Sequence, residues 1–295
     1  MTETRPWSIP QPPLDVPFVH HVSDTHIGYR SWSYAESGHM QADVLDNLVP
    51  PPDLFVHTGD VVDNGAPVED ASALPWLHRM ARGARSLVAV GNHDLRDRVV
   101  HTKAEWERIY RRSANSFVDV KGVRFVAFGG PDDFTGLATS WIVPSATWDW
   151  LNTVVSAAPG PVVLVDHYPP SELGGIPENY LQPVSTFDTF VGDHPAVIGM
   201  LCGHMHFGLA DPLAASFQSI GGRTIPVLCD ISSMLSDIIG RDQSAQMQSY
   251  SAYVTMLEDR WELRYRAHGT HAWSGPDGQR VTALDLAGHT VTRGM

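Results

Sequence analysis

Cysteine is scarce in this 295-residue chain, with only Cys202 and Cys229 present. Both lie in apolar, strand-like stretches, VIGMLCG and IPVLCD, whose spacing suggests neither a zinc ribbon nor a disulfide framework; buried free thiols are expected. Long apolar runs are lacking too. None approaches the roughly 18 residues of a membrane span. The opening MTETRPWSIPQPP shows no basic-then-apolar secretory pattern, so a cytoplasmic protein without membrane attachment is the expectation. Basic residues are outnumbered, 20 Lys and Arg against 33 Asp and Glu, for a formal charge of −13. That balance argues against a surface that grips extended nucleic acid through many phosphates. Internal repeats and low-complexity tracts are absent as well.

What is present is ample apolar sequence, 43% of residues, enough for a large core. Residues 1–15 read as an extended lead-in, with Pro6, Pro10, Pro12 and Pro13 opposing regular structure. Strand-like runs then recur at 18–24, 53–60, 86–94, 123–130, 161–167 and 197–204. Helical patterns separate several of them, at 40–48, 71–83, 103–112 and 144–156. The alternation predicts an α/β fold whose Val-, Leu- and Phe-rich strands are covered on both faces, with ligands at strand carboxyl ends. The stretch YVTMLEDRWELRYRAH near 250–266 instead alternates as a half-exposed hairpin turning at Glu258–Arg260, and a second hairpin is expected around SGPDGQ and RVTALDL. The tail past about residue 240 thus reads as an antiparallel addition.

Five strands finish in metal-type ligands. The first ends Asp24-x-His26, where i and i+2 on one strand face converge; the next ends Gly59-Asp60, then Gly91-Asn92-His93-Asp94, then His167, then Gly203-His204-Met205-His206. Acidity does not exclude a phosphate ester here. Two divalent ions bring about four positive charges, and two carboxylates with a hydroxide remove about three.

This constellation resembles the calcineurin-like metallophosphoesterase superfamily, whose pattern is D-x-H, GD, GNH, H and GHxH. The resemblance implies a four-layer α/β/β/α sandwich of two mixed sheets flanked by helices, with residues 16–239 as the catalytic domain and 240–295 extending it. It also implies a dinuclear centre: Asp24, His26 and His206 on one ion, Asn92, His167 and His204 on the other, and Asp60 on both. Mixed oxygen and imidazole donors suit Mn, Fe or Zn rather than a calcium cage. Two ions roughly 3.5 to 4 Å apart clamp a phosphoryl group, and a water between them becomes hydroxide near neutral pH.

His93, beside Asn92 on one turn, should point away from its neighbour toward substrate, where it can protonate the leaving oxygen. Asp63 matches the acidic position that orients the equivalent histidine in the phosphoprotein phosphatases; a loop-capping role and Asp94 as the competing partner are the alternatives. His20, His21 and His57 are expected as packing or supporting groups, His194 as a surface residue, and Met205, Trp148 and Trp150 as core.

The phosphatases carry GDxVDRG and GNHE, whereas this chain has GDVVDNG and GNHD. Asn64 replaces the arginine that grips a phosphate dianion, so a phosphodiester, with cyclic nucleotides among the candidates, fits better. GNHD, HYPP and GHMH are most similar to the bacterial class III cyclic-nucleotide phosphodiesterases, though Tyr168 stands where many members have a second histidine. The rivals are an Mre11-type nuclease, disfavoured by charge and by the lack of a heptad segment for a partner ATPase, a phosphomonoesterase, and a scaffold that kept the fold without the chemistry. The expected partner is a small phosphoester, nucleotides included, and self-association into a homo-oligomer is compatible with all of this. Residues 171–195, with Tyr180, Phe187 and Phe190, either shape substrate entry or contain a short helix at 184–191 packed away from the site.

Overall fold

The apolar runs become strands buried at every position, as Phe18–Val22, Leu54–His57 and Val162–Val165 show. Such all-round burial suits parallel strands covered on both sides. The structure is a computed structural model that describes residues 12–29, 31–47, 51–96, 102–132, 141–170, 181–207, 212–231, 249–269, 271–274 and 282–293. In chain order its elements are β1 (Phe18–Val22), α1 (Ser31–Asn47), β2 (Leu54–His57), α2 (Pro67–Ala81), β3 (Arg85–Val88), a 3-10 turn (His93–Leu95), α3 (Lys103–Tyr110), β4 (Ser116–Val120) and β5 (Val123–Ala127). Then come β6 (Trp141–Ile142), α4 (Ser145–Ser156), β7 (Val162–Val165), β8 (Leu181–Gln182), α5 (Val184–Asp193) and β9 (Val197–Phe207). The chain continues through β10 (Ala215–Ile220), β11 (Arg223–Ile231), β12 (Tyr250–Met256), β13 (Arg260–Ala267), β14 (Ala272–Ser274), β15 (Thr282–Asp285) and β16 (Thr290–Arg293).

Two mixed sheets result, flanked by helices. The first runs β16-β15-β13-β12-β1-β2-β3, with β14 also paired to β13; the second runs β10-β11-β9-β7-β5-β4. The β1, β2 and β3 strands are parallel, as are β5, β7, β9 and β11, so their carboxyl ends open toward one side of each sheet. Helix α2 starts at Pro67, with the Glu69 carboxylate accepting the Asn64 and Ala66 N–H groups, and it lays Trp76 against Phe55 and His57 of β2. Helix α4 packs Trp148 against Phe128 and against Phe187 and Phe190 of α5. No helix among the described residues is long and apolar enough to cross a membrane.

Several expectations need adjusting. Helices α1 and α2 begin earlier than expected, at Ser31 and Pro67, because the stretches ahead of 40 and 71 include Glu36, Ser37 and Gly38 in α1 and Glu69 and Asp70 in α2, which interrupt an apolar period. Strands β4, β6, β8 and β10 were not anticipated, whereas β11 contains the strand-like IPVLCD; β4 is half-exposed and carries no strand-end ligand. The hairpin at 250–267 forms with Met256 opposite Trp261. The expected hairpin around SGPDGQ is not what forms: β15 pairs with β16, turning at 286–289; of SGPDGQ only Ser274 is described, and 275–279 lie outside the described residues, as do 1–11 and 171–180. Cys202 and Cys229 are free, buried and opposite one another on β9 and β11.

The first sheet is tied to α1 by a buried ionic cluster. Arg266 donates to both oxygens of Asp43 at 2.7 and 2.6 Å, and His268 and His271 each donate a ring N–H at 2.8 and 2.7 Å. The other nitrogen of His268 meets the Ser251 hydroxyl at 2.8 Å, and that hydroxyl meets His20 at 2.9 Å. The Asp–His–Ser order looks like a hydrolytic triad, but Asp43, His268 and Ser251 are fully buried and the arrangement is a structural tie. Burial opposes ionisation of Asp43, yet the bonds from Arg266 and His268 outweigh it and hold the carboxyl well below the usual range. Because the folded pKa is depressed, this stability is present above the unfolded pKa of about 3.9 and fades as pH falls below it. Asp43→Asn should therefore cost about 3–5 kcal/mol at pH 7, with the gap to wild type narrowing below about pH 4. Denaturant melts at pH 7 and 3 measure this; a gap independent of pH would contradict it.

Candidate metal centre

The strand-end residues do not converge by strand alternation. Strand β1 stops at Val22, and Asp24 and His26 lie in the irregular segment beyond it, both in left-handed backbone with φ of 51° and 40°. Main-chain bonds hold this segment alongside the end of β2: Asp24 N to Gly59 O at 3.1 Å, His26 N to Asp60 O at 3.0 Å, and Ile27 N to Val61 O at 2.9 Å. Asp60, His204 and His206 are left-handed as well, at 52°, 69° and 49°. Five of the seven candidate ligands thus hold a conformation that costs a non-glycine residue about 1–3 kcal/mol. His204 and His206 sit in β9, where the register against β11 breaks between Cys229, opposite Cys202, and Ile231, opposite Phe207, so both histidines lie in the looped-out stretch between these pairs. Two glycines permit the approach: a Cβ on Gly91 would overlap Asp60 Oδ1, and one on Gly203 would overlap the Ser23 hydroxyl.

Three groups of donor atoms gather there among the described residues. Asp24, His26, Asp60 and His206 bring four within 4.8 Å of one another, Asp60, His167 and His204 bring three, and His26, Asp63 and His93 bring three more. Asp60 belongs to the first two. Its Oδ1 accepts the His93 backbone N–H at 2.7 Å, while Oδ2, buried and without a well-aligned hydrogen bond, lies 3.6 Å from His26 Nε2 and 3.2 Å from His167 Nε2. Across the first group, His206 Nε2 is 3.2 Å from both His26 Nε2 and Asp24 Oδ1. In the second, Asn92 Oδ1 is 3.0 Å and His204 Nδ1 is 3.3 Å from His167 Nε2.

These separations match the edges of a coordination shell. Ligand atoms about 2.0–2.2 Å from a common ion lie about 3.0–3.6 Å apart. His26 Nδ1 is 3.2 Å from Asp63 Oδ1; donation there turns the lone pair of Nε2 inward, toward His206 Nε2 at 3.2 Å and the carboxylate oxygens of Asp60 and Asp24 at 3.6 and 3.9 Å. His167 Nδ1 likewise meets Thr58 O at 2.8 Å. Burial opposes charge on His167, yet Asp60 beside it pulls the pKa up to about 10, whereas burial and His167 drive His204 down to about 3. Without a cation the cluster keeps a proton next to Asp60, one that a bound divalent ion would replace. The donor set fits two metal ions.

Around this centre, His93 sets its ring edge-on to His26 at 4.5 Å and meets Asp63 O through Nδ1 at 2.7 Å. The Asp63 carboxylate lies 3.3 Å from the same nitrogen and is shared with His26, so the closer partner of His93 is the Asp63 main chain. Asp94 instead accepts Val62 N and Gly91 N at 3.1 and 2.9 Å; burial and Asp60 push its pKa up to about 7. Asn64 donates its amide to Asp63 at 2.8 Å. Tyr168 stacks on His204 at 3.9 Å between ring centres, and Trp141 stacks on Tyr168 at 4.8 Å. His20, His21 and His57 are buried on Ser251, Thr58 and Thr25, and His194 meets Asn152. Sequence reasoning missed the Trp141–Tyr168 stack and Arg96, whose guanidinium lies against His93. The spacing of Arg96 from GNH was its only signal.

The model of calcineurin-like phosphoesterases matches residues 19–208, from the start of β1 through β9. The chain belongs to the calcineurin-like phosphoesterase family. Among solved structures, a dimetal phosphatase from Danio rerio superposes with a TM-score of 0.61 at 12% identity, over 88% of this chain and 97% of that one. A purple acid phosphatase from yellow lupin, Lupinus luteus, gives 0.59 at 12% identity over 90% of this chain; the match spans about half, 53%, of the lupin chain. At such identities the likeness is one of fold. No curated protein matches.

In this family member Asp60 alone joins the four-atom group to that of His167 and His204. Asp60→Ala should lower bound metal more than any other single change in the cluster, read as metal per chain after dialysis. A variant that retains two ions and near-native turnover would contradict a shared Asp60.

Proposed function

We propose that the protein is a dinuclear metal-dependent hydrolase of small phosphodiesters, with Asp24, His26 and His206 on one ion, Asn92, His167 and His204 on the second, and Asp60 on both. The observation that carries this reading is Asp60 Oδ2, buried between two groups of imidazoles, 3.2 Å from His167 Nε2 and without a well-aligned hydrogen bond. Mn, Fe and Zn suit the donors. Bound there, such ions polarise phosphoryl oxygens and acidify water for attack at phosphorus.

The remaining steps fall to side chains. Asp63 O and the Asp63 carboxylate fix His93 through Nδ1, leaving Nε2 to give a proton to the departing oxygen as the P–O bond breaks. Asp63 acts as a positioning residue for both His93 and His26. A diester is favoured because Asn64 offers no cation: its amide is taken up by Asp63 at 2.8 Å and Glu69 at 3.4 Å, and those carboxylates repel a second negative charge on substrate. The resemblance of GNHD, HYPP and GHMH to class III cyclic-nucleotide phosphodiesterases points the same way. We take 16–239 and the strands of 240–295 as one catalytic unit acting in the cytoplasm.

Two measurements test this reading. kcat/KM for matched aryl diesters should exceed that for monoesters with Mn, Fe or Zn; the reverse order with every metal would sink the diesterase assignment. His93→Ala should keep both ions yet lose about 100- to 10,000-fold on an alkoxide leaving group, and far less on a nitrophenolate that needs no proton. An equal loss on both would remove the acid role.

A further inference from the structure

The turn that carries Asn92 and His93 also delivers a cation. Arg96 follows the 3-10 turn His93–Leu95, with its backbone N–H donating to His93 O at 3.2 Å. The turn is braced from below by Asp94, whose carboxylate takes the Gly91 and Val62 N–H groups, and by the bond from His93 N to Asp60. The backbone of Arg96 is therefore held beside the centre by the bonds of this turn. Its NH1 lies 3.2 Å from His93 Nδ1 and 3.3 Å from Nε2. A single nitrogen near-equidistant from both ring nitrogens sits against the ring rather than in line with one lone pair, since Nδ1 already faces Asp63 O. Among the described residues no carboxylate pairs with this half-buried guanidinium.

Charge is thus divided around Asn64 and His93. Asp63 and Glu69, with Asn64 between them, make one part acidic, while Arg96 supplies positive charge beside the His93 ring. A guanidinium without a carboxylate is matched by an anion that arrives with substrate, and its planar fork suits phosphate or carboxylate. On the reading above, to which this inference is tied, His93 serves the departing oxygen, so its neighbour faces the leaving portion rather than the phosphoryl group. We propose that Arg96 is a substrate-binding residue on the leaving-group side, and that it selects phosphoesters whose departing alcohol carries an anionic group of its own.

The test uses two aryl diesters that differ only in a meta substituent on the leaving phenol, carboxymethyl or its neutral carbamoylmethyl counterpart, which keeps leaving-group acidity closely matched. Wild type should favour the anionic ester by about tenfold or more, and Arg96→Gln should abolish that preference, losing about 10- to 100-fold more on the anionic ester than on the neutral one. Arg96→Lys should retain part of it. Replacing the carboxymethyl group by a phosphonomethyl group tells whether carboxylate or phosphate is the better anion. Metal content and melting temperature of both variants should match wild type. Equal losses on charged and neutral esters would overturn the proposal, because Arg96 would then serve the phosphoryl group or His93 itself; no wild-type preference for the anionic ester would overturn it too. The same pair prepared as monoesters separates the two ideas. If monoesters are the better substrates yet Arg96→Gln still erases an anionic leaving-group preference, the diesterase assignment fails and the Arg96 assignment stands.

Discussion

Everything around the candidate centre follows from one unsatisfied atom, Asp60 Oδ2. It is buried among His26, His167 and their neighbours, its partner oxygen is already committed to the His93 N–H, and no aligned donor answers it. Leaving a carboxylate oxygen so placed is expensive unless a cation completes it. The local backbone is shaped to that end. Asp24, His26, Asp60, His204 and His206 all accept left-handed φ values, and Gly91 and Gly203 give up side chains so that Asp60 and Ser23 can approach. The two sheets hold these segments against one another.

The Asp43 cluster makes the contrast plain. Both carboxylates are fully buried, and both are surrounded by histidines. Asp43 receives N–H donors from Arg266, His268 and His271 on both oxygens, and needs nothing further. Around Asp60, by contrast, His26 turns a lone pair inward because its other nitrogen faces Asp63, and carboxylate faces imidazole at coordination distances. Residue type alone does not distinguish a structural tie from a metal centre; the direction of the donors does.

That difference also sets what the sequence could reveal. The Gly-Asp, Gly-Asn-His and Gly-His-x-His blocks, with Asp24-x-His26 and His167, name the residues that converge, because each follows an apolar run that becomes a parallel strand. Asp24 and His26 converge through two left-handed residues beyond the strand, not through its alternation. Strand-end backbone is set by long-range bonds to Gly59 and Asp60, which local periodicity does not contain. Arg96 and Trp141 were hidden for a similar reason. A single arginine after GNH, or a tryptophan in a two-residue strand, carries no pattern until the fold sets it beside His93 or Tyr168.

The most direct test of a shared Asp60 is anomalous scattering from crystals grown with Mn or Zn. The account predicts two peaks about 3.5–4 Å apart on either side of Asp60 Oδ2, one within bonding distance of His26 and His206 and the other of His167 and His204. A single peak, or two peaks of which one lies away from Asp60, would contradict it.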